Sequence, residues 1–323
     1  MSTLLFSIKR VMKELGVETF RISATLFKVM IPVLILVKVL EEAGGIRYIG
    51  YLLEPLMSFV GLPESMGLVW ATTLLTNIYA GMVIFFNLAA GESLTVAQVT
   101  VLGGMMLIAH TLPIEARIAQ KAGVRISATL AIRFFGALLY GFILFHLYRW
   151  ADWLQQPVEL IWTPPVQDNS LQGWLVAQLE SFFLIVVLIF VLLSLLKILK
   201  ALHIERLMIW LLRPVLKLIG IGPAATTITI VGMTLGLALG GGLLIREAKA
   251  GELSPMDIFA SMGLLALCHS IIEDTLLVLF LGADISGVLW FRILFALVMM
   301  MLITRVVELL SEGFRSRYLM HTD

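Results

Sequence analysis

Six apolar stretches, Thr25–Leu40, Leu94–Ile114, Ile126–Leu147, Ser181–Leu196, Met256–Leu281 and Ile285–Thr304, approach or reach the length needed to cross a bilayer. A hydrocarbon core of about 30 Å takes about 20 helical residues. Composition agrees, since 60% of the 323 residues are hydrophobic and only 14% charged, too little polar surface for a soluble domain of this size. Two further segments, Leu62–Gly91 and Gly222–Gly251, are interrupted near their middles by Thr76-Asn77-Ile78-Tyr79-Ala80-Gly81 and by Gly236-Leu237-Ala238-Leu239-Gly240-Gly241-Gly242. Each reads either as one long tilted helix or as a re-entrant hairpin.

The 23 basic and 22 acidic residues nearly cancel, so overall charge implies neither nucleic acid nor an anionic surface as partner. The single cysteine, Cys268, excludes an intrachain disulfide framework and a Cys-x-x-Cys motif. No phosphate-binding loop is present, so transport would draw on a gradient or on a separate subunit rather than on nucleotide hydrolysis by this sequence. Near the amino terminus, Leu4, Leu5, Ile8, Val11, Met12 and Leu15 recur at helical spacing among Lys9, Arg10, Lys13 and Glu14. That pattern predicts a basic amphipathic helix on a membrane face rather than a cleavable signal.

The chain also repeats itself. A shift of 159 residues puts Pro55 on Pro214, Gly61 on Gly220, His110 on His269, Gly123 on Gly282, Ser127 on Ser286, Leu130 on Leu289 and Arg133 on Arg292. Hydrophobic bias alone does not align His, Arg, Pro and Gly in unbroken order, so the halves are a duplication. Each half reads as span, amphipathic segment (Ile46–Val60; Ile204–Ile219), broken element, span, span.

Basic residues in short loops stay cytoplasmic, and this chooses between the two readings of the broken elements. If they are hairpins, each half has three spans and the halves are inverted. Lys9, Arg10, Lys13 and Arg21, the loop with Arg117, Lys121 and Arg125, the stretch Lys197 to Lys217, Arg246 with Lys249, and Arg315 with Arg317 then all lie inside. Arg47 and Arg149 lie outside, the latter beside Asp152, Glu159 and Asp168 in a Trp- and Pro-rich linker. Full spans would instead export the clusters at 117–125 and 197–217. The expectation is therefore an all-α polytopic membrane protein of two inverted repeats, each with three transmembrane helices, a re-entrant hairpin and an amphipathic helix. Its parts are an amphipathic helix at 1–22, repeats at 23–148 and 175–307, an outer linker at 149–174 and a cytoplasmic tail at 308–323. Both termini are expected inside a bacterial inner membrane.

Ionisable groups within a membrane are costly and usually face a pathway. His110 with Glu115, and His269 with Glu273 and Asp274, occupy corresponding places after the two broken elements and lie within about one and a half helical turns of each other. They read as solute-, proton- or cation-coupling groups, or as histidines that merely hydrogen-bond neighbouring helices. Arg133 and Arg292 are expected to pair with Glu115 or with Glu273 and Asp274, as structural ion pairs or as ligand-binding charges. Thr76, Asn77 and Tyr79 at the first break, and Thr234, Gly240 and Gly241 at the second, are candidates to cap half-helices, to contact a polar ligand, or to pack helices closely. No metal site is assigned, because the spacing of Cys268, His269, Glu273, His110 and Glu115 does not demand one. No cofactor is expected, the coupling ion (H+ or Na+) is open, and so is a homo-oligomer.

This order of elements, given twice, together with Thr76-Asn77-Ile78-Tyr79-Ala80-Gly81 and the His-containing segments, resembles the nucleoside-recognition or Gate-domain membrane proteins over about residues 24 to 305. That group includes the spore-maturation-type proteins, the membrane portion of bacterial ferrous-iron transporters and the core of concentrative nucleoside transporters. The resemblance implies an alternating-access carrier with its site between hairpin tips and the following helices. The Gln-Ser/Thr-Glu signature of nucleoside carriers is missing, the nearest piece being His110 through Glu115, and the GTPase domain of the iron transporters has no counterpart here. The expectation is a secondary transporter, not an enzyme, for a small polar or anionic solute. A membrane scaffold or sensor that only binds, and a divalent metal ion transporter, are the alternatives.

Overall fold

The computed structural model describes residues 2–89, 91–162, 171–201 and 204–321, and among them no β-strand occurs beyond two isolated bridges. The first half comprises α1 (Ser2–Glu42), α2 (Gly45–Phe59), α3 (Met66–Leu75), α4 (Ile78–Ala89), α5 (Val96–Ile108), α6 (Leu112–Ala122) and α7 (Ile126–Trp150). The second comprises α8 (Leu171–Ala201), α9 (Ile204–Ile219), α10 (Pro223–Leu235), α11 (Leu237–Ala250), α12 (Pro255–Leu267), α13 (Glu273–Leu279), and a π-helical turn (Ser286–Phe291) that runs into α14 (Arg292–Leu309). A short α15 (Glu312–Tyr318) closes the chain. Among the described residues, five segments are long and apolar enough to cross a membrane: Met12–Leu40, Val96–Ala122, Ile126–Trp150, Gln172–Leu195 and Ser286–Leu309.

Three sequence expectations need correction. The amino-terminal amphipathic helix is not separate, because α1 continues from Ser2 to Glu42. At 1.5 Å per residue its 41 residues extend about 60 Å, twice the hydrocarbon core. No residue near position 22 forbids helix, and Lys197 of α8 pairs with Glu18 there at 3.3 Å. Next, Leu94–Ile114 and Met256–Leu281 are not continuous helices. The first is broken between α5 and α6, with Thr111 at φ 52°, and the second between α12 and α13, with Ser270 at φ 46°. A left-handed residue ends a right-handed hydrogen-bond ladder, and hydropathy does not register it. Finally, α8 already begins at Leu171, inside the stretch expected as linker. Of that linker, Asp168 lies outside the described residues.

The broken elements do fold back on themselves. In the first, Gly81 of α4 lies against Thr73 of α3; in the second, Gly240 of α11 lies against the Gly232 backbone of α10. Thr73 and Gly81 correspond to Gly232 and Gly240 under the same 159-residue shift. Either hairpin arm, of 10 to 14 residues, reaches about 15–21 Å, roughly half the core or somewhat more.

Other local devices recur at that shift. Thr95 and Gln98 form a capping box on α5, and Gln98 Nε2 donates to the Gly61 carbonyl at 3.1 Å. Ser254 and Asp257 stand in their places, with Ser254 capping α12 and Asp257 Oδ1 accepting from Gly222 N at 2.6 Å. Gly61 and Gly220, and Gly123 and Gly282, all take positive φ, which favours glycine.

Corresponding long helices run antiparallel. Tyr148 of α7 meets Ser286 at 2.8 Å, while Tyr140, eight residues earlier, stacks on Phe295, nine residues later than Ser286, at 4.9 Å. Likewise Phe27 of α1 meets Phe182 of α8 at 4.7 Å, and Glu18 meets Lys197. Each half also packs reciprocally on the other, α5 on the π-helical turn and α12 on α7. At one end of the molecule the linker covers the start of α5, with Val96 N and Ala97 N donating to Gln156 O and Leu154 O. At the opposite end the tail folds onto the α6–α7 loop, where the Arg125 guanidinium donates to Ser316 O.

Candidate functional site

The two helix breaks and the two hairpin tips converge on one cavity of about 340 Å³. Asn77, Ile78 and Tyr79 enter it from the first tip, Gly236 and Leu237 from the second, His110, Thr111 and Glu115 from the first break, and His269, Ser270, Glu273 and Asp274 from the second. Backbone joins ground these pieces together, since Thr111 N donates to Thr73 O at 3.0 Å and Ile271 N to Met233 O at 2.9 Å. Each break is thus held by the hairpin of its own half.

His110 and His269 face each other, with Nε2 atoms 3.1 Å apart. Each ring is anchored through Nδ1, to Met106 O at 3.0 Å and to Leu265 O at 2.6 Å. A carbonyl oxygen only accepts, so both Nδ1 atoms carry hydrogen and, in the neutral rings, both Nε2 atoms present lone pairs. Glu115 Oε1 lies 3.4 Å from each Nε2, and Asp274 Oδ2 lies 3.7 Å from that of His110. Glu115 and Asp274 are themselves equivalent at the 159-residue shift. All four residues are buried, at 3–8% exposure.

The two arginines are fully buried as well. Arg133 pairs with Glu115 Oε2, as expected from sequence, and its Nε donates to Ile108 O at 2.8 Å. Arg292 does not reach Glu273 or Asp274. Its Nη2 donates instead to His269 O at 3.2 Å, because α13 is short and its first-turn acids face the cavity and Tyr79. Both guanidinium groups therefore satisfy carbonyls where α5 and α12 end, and offset the negative ends of two helix dipoles. Three carboxyl groups, those of Glu115, Glu273 and Asp274, thus border the cavity, and of these Glu115 is paired with a guanidinium.

Of the remaining candidates, Thr76, Thr234, Gly240 and Gly241 support the cavity without lining it. Thr76 and Thr234 bond carbonyls of their own helices, Thr72 O at 2.6 Å and Ile230 O at 2.9 Å. Gly240 is committed to Gly232, and Gly241 faces Ile118. Asn77 caps α4, its Oδ1 accepting from Ala80 N at 2.9 Å, while also bordering the cavity. Cys268 is buried beside Arg292 and apart from the cavity lining. Sequence reasoning missed Thr111 and Ser270 as lining residues, although their signal was present, a hydroxyl residue directly after the histidine in both halves.

A buried, charged, helix-broken centre inside long apolar helices is built for lipid, and the comparison with known proteins agrees. The chain is 28% identical over 301 residues to the uncharacterized membrane protein YvoD of Bacillus subtilis (strain 168), covering 88% of this chain and 91% of that one. The protein is a helical membrane protein. No family model matches it. No solved structure matches it either.

Proposed function

We propose that the protein is a secondary transporter working by alternating access, with its two halves inverted across the membrane and its solute site in the cavity between the hairpin tips and the helix breaks. The observation that carries this reading is the meeting of four chain interruptions at one pair of buried histidines. Irregular backbone at membrane depth is tolerated where it lines a cavity, and inverted repeats with broken helices place their sites there. The antiparallel course of α1 against α8 and of α7 against α14 supports the inversion. Three carboxyl groups and two imidazoles at the cavity favour a cation or proton at the centre, which narrows the small polar or anionic solute expected from sequence. The resemblance to the Gate-domain membrane proteins fits the same architecture, and a bacterial inner membrane with both termini inside fits the basic loops.

The test is flux into liposomes carrying purified protein, with an internal pH dye and an imposed membrane potential, across a panel of monovalent and divalent cations and polar solutes. A signal that the wild-type protein gives and that His110→Ala and His269→Ala abolish, in variants that still elute as folded protein, supports the carrier. Equal signals from wild type and both variants would reject the assigned site.

A further inference from the structure

We infer that His110, His269, Glu115 and Asp274 form a binding site for one divalent transition-metal ion of the zinc class, at the centre of the fold. This inference rests on reading the cavity as the solute site, but its test does not depend on transport.

The donor geometry is the first support. A tetrahedral ion with bonds of about 2.0–2.2 Å to nitrogen and oxygen has ligand-to-ligand edges of about 3.3–3.6 Å. Four of the six ligand-to-ligand separations, 3.1, 3.4, 3.4 and 3.7 Å, bracket that range. Ligand atoms of His110, His269 and Asp274 all fall within 4.8 Å of one another. His110, His269 and Asp274 therefore stand around one point, and Glu115 Oε1 approaches both imidazoles at 3.4 Å.

The second support is the direction of the lone pairs. With both Nδ1 hydrogens committed to backbone carbonyls, two Nε2 lone pairs and a carboxylate oxygen point at one another with no hydrogen between them. Such a cluster is repulsive until a cation enters it. The outer contacts are those a metal site uses: each histidine donates its other N–H to a carbonyl, and Arg133 holds the distal oxygen of Glu115.

Donor chemistry then selects the ion. Two imidazoles with two carboxylates suit the divalent ions from manganese to zinc. Magnesium and calcium prefer oxygen alone, and soft monovalent copper prefers sulfur. Sequence spacing gave no hint of this, because the ligands come as two equivalent pairs, each five residues apart, that are useful only once the halves dock.

The experiment is a Co2+ titration of chelator-stripped protein in detergent, read by the visible bands of tetrahedral cobalt and by calorimetry, with Zn2+ as competitor. One equivalent of Co2+ per chain, displaced by Zn2+, is the expected result. His269→Gln and Glu115→Gln are expected to weaken it at least tenfold, and Arg133→Gln, acting through Glu115, by about 10–100-fold. His146→Ala, an exposed histidine on α7, keeps wild-type affinity. If a ligand variant fails to fold, the wild-type stoichiometry and band shape still decide. Folded wild-type protein that gives no tetrahedral band, or a band that persists in both ligand variants, overturns the metal site and leaves a proton shared between the imidazoles. Metal binding without any flux would instead count against the carrier and leave this site standing.

Discussion

Removing Glu115 alone is expected to cost far more than removing it together with Arg133. Arg133 has no exposed surface, and its charge is met by Glu115 Oε2, with Nε on Ile108 O. Glu115→Leu strands that guanidinium in a low dielectric, and Arg133→Met strands the carboxylate against two imidazole lone pairs. Breaking a buried pair by deleting one partner costs about 3–5 kcal/mol, whereas replacing both with apolar groups of similar volume is often neutral or stabilising by about 1–4 kcal/mol. Each single variant is therefore expected to lose about 3–5 kcal/mol, and Glu115→Leu/Arg133→Met to fall within about 1 kcal/mol of wild type, a coupling of several kcal/mol between the sites. The assay is reversible unfolding in mixed micelles with increasing SDS, followed by tryptophan fluorescence, with chelator present so that no metal contributes. Single variants that each lose under about 1 kcal/mol, or losses that simply add in the double, would show that the pair is not a compensated buried unit, and the charge count of the site would have to be redrawn.

Two further outcomes follow from the hairpins and the inversion. Gly240→Val presses a side chain into the Gly232 backbone, which cannot swing aside, and is expected to lower stability by about 1–3 kcal/mol or more; Gly242→Ala, with open space around it, stays within about 0.5 kcal/mol. Equal melting temperatures for the two variants would contradict the close hairpin. Single cysteines at Lys121 and Lys249, both exposed, are expected to react with an impermeant maleimide only after cells are opened, while one at exposed Glu159 reacts in intact cells. Labelling of Lys121→Cys or Lys249→Cys from outside would break the inverted arrangement.

Much of the architecture was legible in one dimension. Runs of apolar residues mark helices that cross lipid, because lipid imposes length and hydropathy on any span. Matched His, Arg, Pro and Gly at a fixed shift reveal the duplication, and the distribution of Lys and Arg chooses hairpins over spans. The same matches pointed to His110, Glu115, His269 and Asp274, since ionisable groups inside lipid are rarely idle. The pairing of Arg133 with Glu115 was also foreseen, whereas that of Arg292 was not.

What the tertiary structure alone decided is where helices stop and which distant residues meet. Hydropathy sums side chains and is blind to a single left-handed residue, so the breaks at Thr111 and Ser270 looked like uninterrupted spans. For the same reason α1 looked divisible near residue 22, although its backbone hydrogen bonds simply continue. The approach of His110 to His269 depends on the docking of the two halves, a contact between residues 159 apart that no local pattern encodes. Residue types and their duplication were set by sequence, but the convergence of their lone pairs on one point exists only because two half-helices end there face to face.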